Sequence, residues 1–118
     1  MFTFREVTKD ALNDFDYKDL AMILSKYHLM GCYQNQTLVG FVNFAFTDDK
    51  VLIFALAAKN HSQEVYKEIA VLLGFSCARN CLDEISGIVP DQAVSAFYEM
   101  GAKCTKSGKT HTIIELSL

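Results

Sequence analysis

The chain is short of punctuation. Of its 118 residues only Pro90 is a proline, and no Gly-, Ser- or Pro-rich tract or repeat interrupts it. Nothing therefore marks a linker, and a single domain over residues 1–118 is expected. No apolar run reaches the roughly 20 residues that a membrane-spanning helix needs. The opening Met1-Phe2-Thr3-Phe4-Arg5-Glu6 lacks the basic-then-apolar layout of a secretory signal, so a soluble, cytoplasmic chain is expected. The net charge of −3 offers no broad cationic footprint for nucleic acid. Lys103, Lys106 and Lys109 read instead as the solvated edge of a hairpin. Cys32, Cys77, Cys81 and Cys104 form no CxxC pair, and His28, His61 and His111 fall in three separate elements. Reduced thiols and ordinary histidines follow, with no metal.

What is present is a 51% hydrophobic composition, enough for one core. Residues 2–7 alternate as a strand, and Asp10 or Asn13 can cap a helix after it. Leu20, Ile23, Leu24 and Tyr27 mark an amphipathic helix that ends near Met30-Gly31. Cys32 to Gln34 reads as a short strand, Asn35-Gln36 as a tight turn, and residues 37–46 as a long strand rich in aromatic and β-branched side chains. Asp48-Asp49-Lys50 turns the chain. Residues 51–58 are apolar almost throughout, as suits a strand covered on both faces. Asn60 or Ser62 can cap the next helix, with Val65, Ile69, Leu72, Leu73 and Ser76 inward and fraying near Asn80 to Leu82.

Ile85 to Val89 is the following strand, so this strand, helix, strand passage requires a parallel crossover. Asp91 is then expected to cap a short helix in which Ala93, Ala96, Phe97 and Met100 face inward, with Tyr98 on the flank. Gly101 stops it, a strand over 102–106 follows, and a Ser107-Gly108 turn leads into a last strand over 110–118.

The stretch AVSAFYEMGAK resembles the C-terminal half of the GNAT superfamily of N-acetyltransferases, often written "a..a..fYek.GF" before two closing strands. Phe4-Arg5-Glu6-Val7-Thr8 with Asp10 is similar to the family's "iRpat..D" opening, and Leu38-Val39-Gly40-Phe41-Val42 to its "ivGfv" strand. The resemblance implies an α/β (α+β) fold with a mixed, mostly antiparallel seven-stranded sheet and three or four helices in the order β-α-β-β-β-α-β-α-β-β. It implies a cleft walled by residues 54–58 and 85–90 that takes the pantetheine arm of acetyl-CoA along Leu56, Ala57 and Ala58. It also implies that Tyr98 is the acid that reprotonates the coenzyme A thiolate. His61 and Asp91 are candidate bases for the amine, the latter doubling as a helix cap.

The family places Q/R-x-x-G-x-G/A after the central strand, where glycines let backbone amides approach the diphosphate. Here Ala58-Lys59-Asn60-His61-Ser62-Gln63-Glu64-Val65-Tyr66 stands there, with no glycine. Lys59, Asn60, Ser62 and Gln63 are the remaining polar candidates for cofactor contact, and Glu64 adds charge of the wrong sign. The favoured expectation is a degenerate acetyltransferase-like protein, weakly active or non-catalytic, acting in binding or assembly with a protein partner or as a homo-oligomer. It resembles compact acetyltransferase-like proteins of bacteriophages, including internal virion proteins, in which case its location is the virion. The alternatives are an active acetyl-CoA-dependent N-acetyltransferase of a small or protein amine, and a sensor that uses the cleft for another small ligand. Exposed aromatics among Phe41, Phe44, Phe46 and Phe54 are the expected mark of association.

Overall fold

The computed structural model describes residues 1–118. One seven-stranded sheet organises them, in the order β1-β2-β3-β4-β5-β7-β6. β1 (Phe2–Glu6), β2 (His28–Gln34), β3 (Thr37–Phe46) and β4 (Val51–Ala58) form an antiparallel half, and β5 (Glu84–Pro90), β7 (His111–Ser117) and β6 (Lys103–Ser107) a second. Only β4 and β5 pair in parallel, over three rungs that end at Ile53↔Gly87. The parallel crossover between them is carried by α2 (Gln63–Arg79), while α1 (Tyr17–Leu20) and α3 (Val94–Tyr98) are single turns. No helix is long and apolar enough to cross a membrane.

Local chemistry accounts for the joints. Asn35 and Gln36 both take positive φ, the two-residue geometry that matches strand twist and closes β2 onto β3. Between β3 and β4 the Thr47 hydroxyl accepts the Lys50 N–H at 3.1 Å, and the Thr47 N–H donates to the Lys50 carbonyl. Ser62 caps α2 by accepting the Val65 N–H at 3.3 Å. The helix ends at Arg79, with Asn80 as its cap.

The sheet carries two unequal cores. On one face 21 buried residues join β2 to β5, β7, α2 and α3; on the other, seven residues join Leu12, Phe15 and Ile23 to Leu29, Phe41, Ala55 and Ala57. β4 serves both, and a bulge sets how. Asn43 pairs with Ala55 and Phe44 with Ile53, which leaves Phe54 without a partner on β3. Val51 and Ile53 therefore share the larger core with Leu56 and Ala58, not with Ala55 and Ala57. One extra residue reverses the facing of the rest of the strand.

Several sequence expectations are corrected here. The helix through Leu20, Ile23, Leu24 and Tyr27 is absent: α1 stops at Leu20, and β2 begins at His28 instead of Cys32. The cause is Asn43, fully buried on β3, whose amide oxygen accepts the Leu24 N–H at 2.7 Å while its nitrogen donates to the carbonyls of Leu24 and His28. A buried amide must be satisfied, and it takes its partners from the segment that periodicity assigned to a helix. Ile23 is still buried, while Leu24 and Tyr27 are exposed. The cap of α1 is Asp16, accepting the Lys18 N–H at 3.1 Å, not Asp10 or Asn13. In α2 the inward set is Val65, Tyr66, Ile69, Ala70, Leu73 and Cys77; Leu72 and Ser76 are only half-buried. Of the aromatics on β3 and β4, Phe41 and Phe44 are buried, Phe54 stacks on Tyr27 at 4.9 Å, and Phe46 stays exposed.

Candidate functional site

Beyond Ile53 and Gly87 the two central strands part. β5 continues on β7 through Ile88, Val89 and Pro90, whereas β4 continues on β3 through Ala55 to Ala58. The parting begins beside the Phe54 bulge, which turns β4 away from its parallel neighbour. Gly87 makes the last rung so close that a Cβ there would lie 2.3 Å from the Ile53 carbonyl, and its φ of +147 is one that side chains disfavour. The two strands are unpaired beyond this point, and the β4 side of the parting holds Leu56, Ala57 and Ala58, all buried.

At the open end, β4 gives way to a 3-10 turn over Lys59–His61. Asn60 and His61 sit at φ 56 and 50, left-handed geometry carried by residues with side chains. Ser62 is engaged as the α2 cap, and its carbonyl also accepts the Tyr66 N–H at 3.1 Å. Gln63 does not turn to the cleft mouth as a free donor. Its side chain donates to the Gln92 carbonyl at 2.7 Å and accepts the Ser95 hydroxyl at 2.9 Å, tying α2 to the start of α3. His61 Nδ1 and the Tyr66 hydroxyl share a hydrogen bond of 2.8 Å.

The hollow beside this turn, about 620 Å³, is ringed by Asp14, Asp16, Asp19, Lys59 and His61 next to Ala58. Lys59 pairs with Asp14 at 3.6 Å. Partial burial pushes the Asp19 carboxyl up, the Asp16 charge adds to this, and His61 and His111 oppose it. Burial, with a smaller push from Asp19, raises the Tyr66 phenol to about 12, while the Ala58 backbone N–H acts on it in the opposite sense.

Tyr98 stands on the outer side of α3, 68% exposed, and α3 itself packs on α2, β6 and β7. Asp91 is not the cap of that helix: it opens a 3-10 turn over Asp91–Ala93 that leads into α3, whose cap position, Ala93, makes no side-chain bond. Its carboxylate accepts the Thr112 hydroxyl at 2.8 Å and is ion-paired to Lys106, and Lys106 and Thr112 hold its carboxyl below the usual carboxylate range. Sequence reasoning missed Asn43, Tyr66 and the aspartate group. Tyr66 neighbours the Val65 stripe and has the signature of an ordinary core residue. The aspartates are separated in sequence from the turn that they flank and meet it only through the fold.

No family model and no curated protein matches the chain. Solved structures do. An IAA acetyltransferase from Bacillus cereus superposes with a TM-score of 0.72 at 9% identity, over 100% of each chain. An acetyltransferase from Bacillus subtilis, in complex with CoA, gives 0.70 at 15% identity over 99% of this chain and 97% of its own. A GNAT family acetyltransferase from Elizabethkingia anophelis with acetyl-CoA bound gives 0.68 at 13% identity, covering 99% and 98%. The chain has the GNAT fold. At these identities the likeness concerns architecture: the GNAT sheet order, its parallel crossover and the divergence of β4 and β5 are all present, without a sequence match to carry chemistry along with them.

Proposed function

We propose that this GNAT-fold chain is a binding or assembly protein in which the diphosphate subsite for coenzyme A is no longer built. The observation that carries the reading is the composition of the turn after β4. A diphosphate is held by main-chain amides that it can approach closely, at a helix start of positive potential. Here the left-handed positions carry the side chains of Asn60 and His61, and the Ser62 hydroxyl caps the helix by accepting the Val65 N–H. Asp14, Asp16 and Asp19 line the adjoining hollow, and like charges at this range oppose an anion. The partner on this reading is a protein, a second copy included, and the likeness to phage acetyltransferase-like proteins makes a virion component one form of it.

A second reading, an active acetyl-CoA-dependent N-acyltransferase, draws support from the intact divergence of β4 and β5 and from relatives in fold that hold CoA or acetyl-CoA. Tyr98 is its proposed acid. Calorimetric titration with coenzyme A and acetyl-CoA separates the two readings. The binding reading expects no saturable heat up to about 1 mM, a free energy weaker than about −4 kcal/mol. A micromolar dissociation constant overturns it, and under that outcome Tyr98→Phe should lower turnover while leaving cofactor affinity unchanged.

A further inference from the structure

One buried side chain of α2 stands at the parted end of β4. Tyr66 is rooted in the first turn of α2 and fully buried, among the largest side chains wholly removed from solvent. It shares one core with Leu56 and Ala58 of β4 and with Val89 of β5, the residue two beyond the last rung, so this cluster reaches both walls of the cleft. Its hydroxyl lies against the end of β4, where it meets His61 Nδ1 at 2.8 Å and the influence of the Ala58 N–H. It also senses Asp19, next to Leu20, which packs in the smaller core on the opposite face of the sheet. Its hydroxyl thus stands beside the parted end of β4, bonded to a histidine that lines the same hollow as Asp19. None of the residues around the neighbouring hollow comes from β5.

We propose that Tyr66 is the gatekeeper of the cleft: its phenol, latched by His61, occupies the space beside the end of β4 that an extended amide-bearing ligand would need, so such a ligand enters only when Tyr66 is displaced or shortened. This deepens the reading of an unbuilt cofactor site and rests on it for why the cleft is closed, but it makes a separate claim. The diphosphate argument concerns charge and backbone at the mouth, whereas the gate concerns volume inside. Displacement of the phenol exposes a large buried ring and breaks the His61 contact, both of which favour the closed state. The aspartates at the mouth disfavour an anion, and the free backbone edge left where β4 and β5 part suits an extended chain with amide groups, so the uncharged D-pantetheine is the probe.

The test is calorimetric titration of D-pantetheine and, separately, coenzyme A into the full chain and its Tyr66→Ala, Tyr66→Phe and His61→Ala variants. Tyr66→Ala should bind pantetheine at least about tenfold more tightly than the wild type. His61→Ala should show a smaller gain, because it loses the latch and keeps the ring, and Tyr66→Phe should gain no more than His61→Ala. Unchanged or weaker pantetheine binding in both Tyr66→Ala and His61→Ala overturns the proposal. If Tyr66→Ala does not fold, the exposed His61→Ala carries the test, and no gain there overturns it. Coenzyme A separates the two claims. A Tyr66→Ala protein that takes pantetheine and refuses coenzyme A supports both. One that takes the two equally well supports the gate and overturns the unbuilt diphosphate site.

Discussion

Asp19 illustrates how one carboxylate responds to its surroundings at the candidate site. Its carboxyl is pushed up first by burial and then by Asp16, and the opposing pull of His61 and His111 is smaller. A raised carboxyl pKa in the fold means that the folded chain holds its proton more tightly than the unfolded chain. The associated stabilisation is present below the ordinary aspartate value of about 3.9 and is lost as pH rises through the folded value. Asp19→Asn should therefore raise the urea midpoint at pH 7 and leave it nearly unchanged near pH 3. A variant that is no more stable than the wild type at pH 7 contradicts this account. Asp91 has the opposite sign: Lys106 and Thr112 favour its ionised form, so its contribution holds above the ordinary carboxylate range and fades as pH falls through the lowered value. The two aspartates differ only in what surrounds them, which a sequence does not display.

Among the elements, the segment between α1 and β2 is held by Asn43 more than by its own propensity. Asn43→Leu fits the volume but strands the Leu24 N–H and the carbonyls of Leu24 and His28, at a cost of about 1–3 kcal/mol in chemical denaturation. An unchanged denaturant midpoint would show that the segment docks without the amide. This is also where legibility in the sequence ended. The strands over 37–46 and 51–58, the long helix with its cap at Asn60 or Ser62 and the closing hairpin could be read because their patterns are local: alternation, apolar runs, a cap and turn residues. The candidate cleft was not legible in that pattern; only the resemblance to the acetyltransferases placed it between the central strand and its parallel neighbour. The 20–27 segment was misread because a buried amide far along the chain claimed its backbone groups. The facing of β4 was illegible for a similar reason, since Phe54 looks like any other member of an apolar run until its pairing with β3 is known. Tyr66 falls outside the inward set that periodicity gives for the long helix, and only the fold shows it buried with its hydroxyl on His61.

At the scale of the whole molecule, the inequality of the two cores predicts unequal protection. The 21-residue core is backed by α2, whereas the seven-residue core is covered by a 3-10 turn, a single helical turn and irregular chain. Local opening follows the side with less buried apolar surface. Native-state hydrogen exchange should find the amides of residues 8–27 opening well below the global unfolding energy, with β3, β4 and the centre of α2 the slowest to exchange; equal protection on both faces would refute this. The three rungs between β4 and β5 bear on the same scale in another way. They are the sole backbone ladder joining a four-stranded slab to a three-stranded one, and α2 is the strap that bridges them. Under mechanical load the sheet thus has a tear line built in along the wall of its own cleft, and the slabs would separate there while each kept its internal ladders.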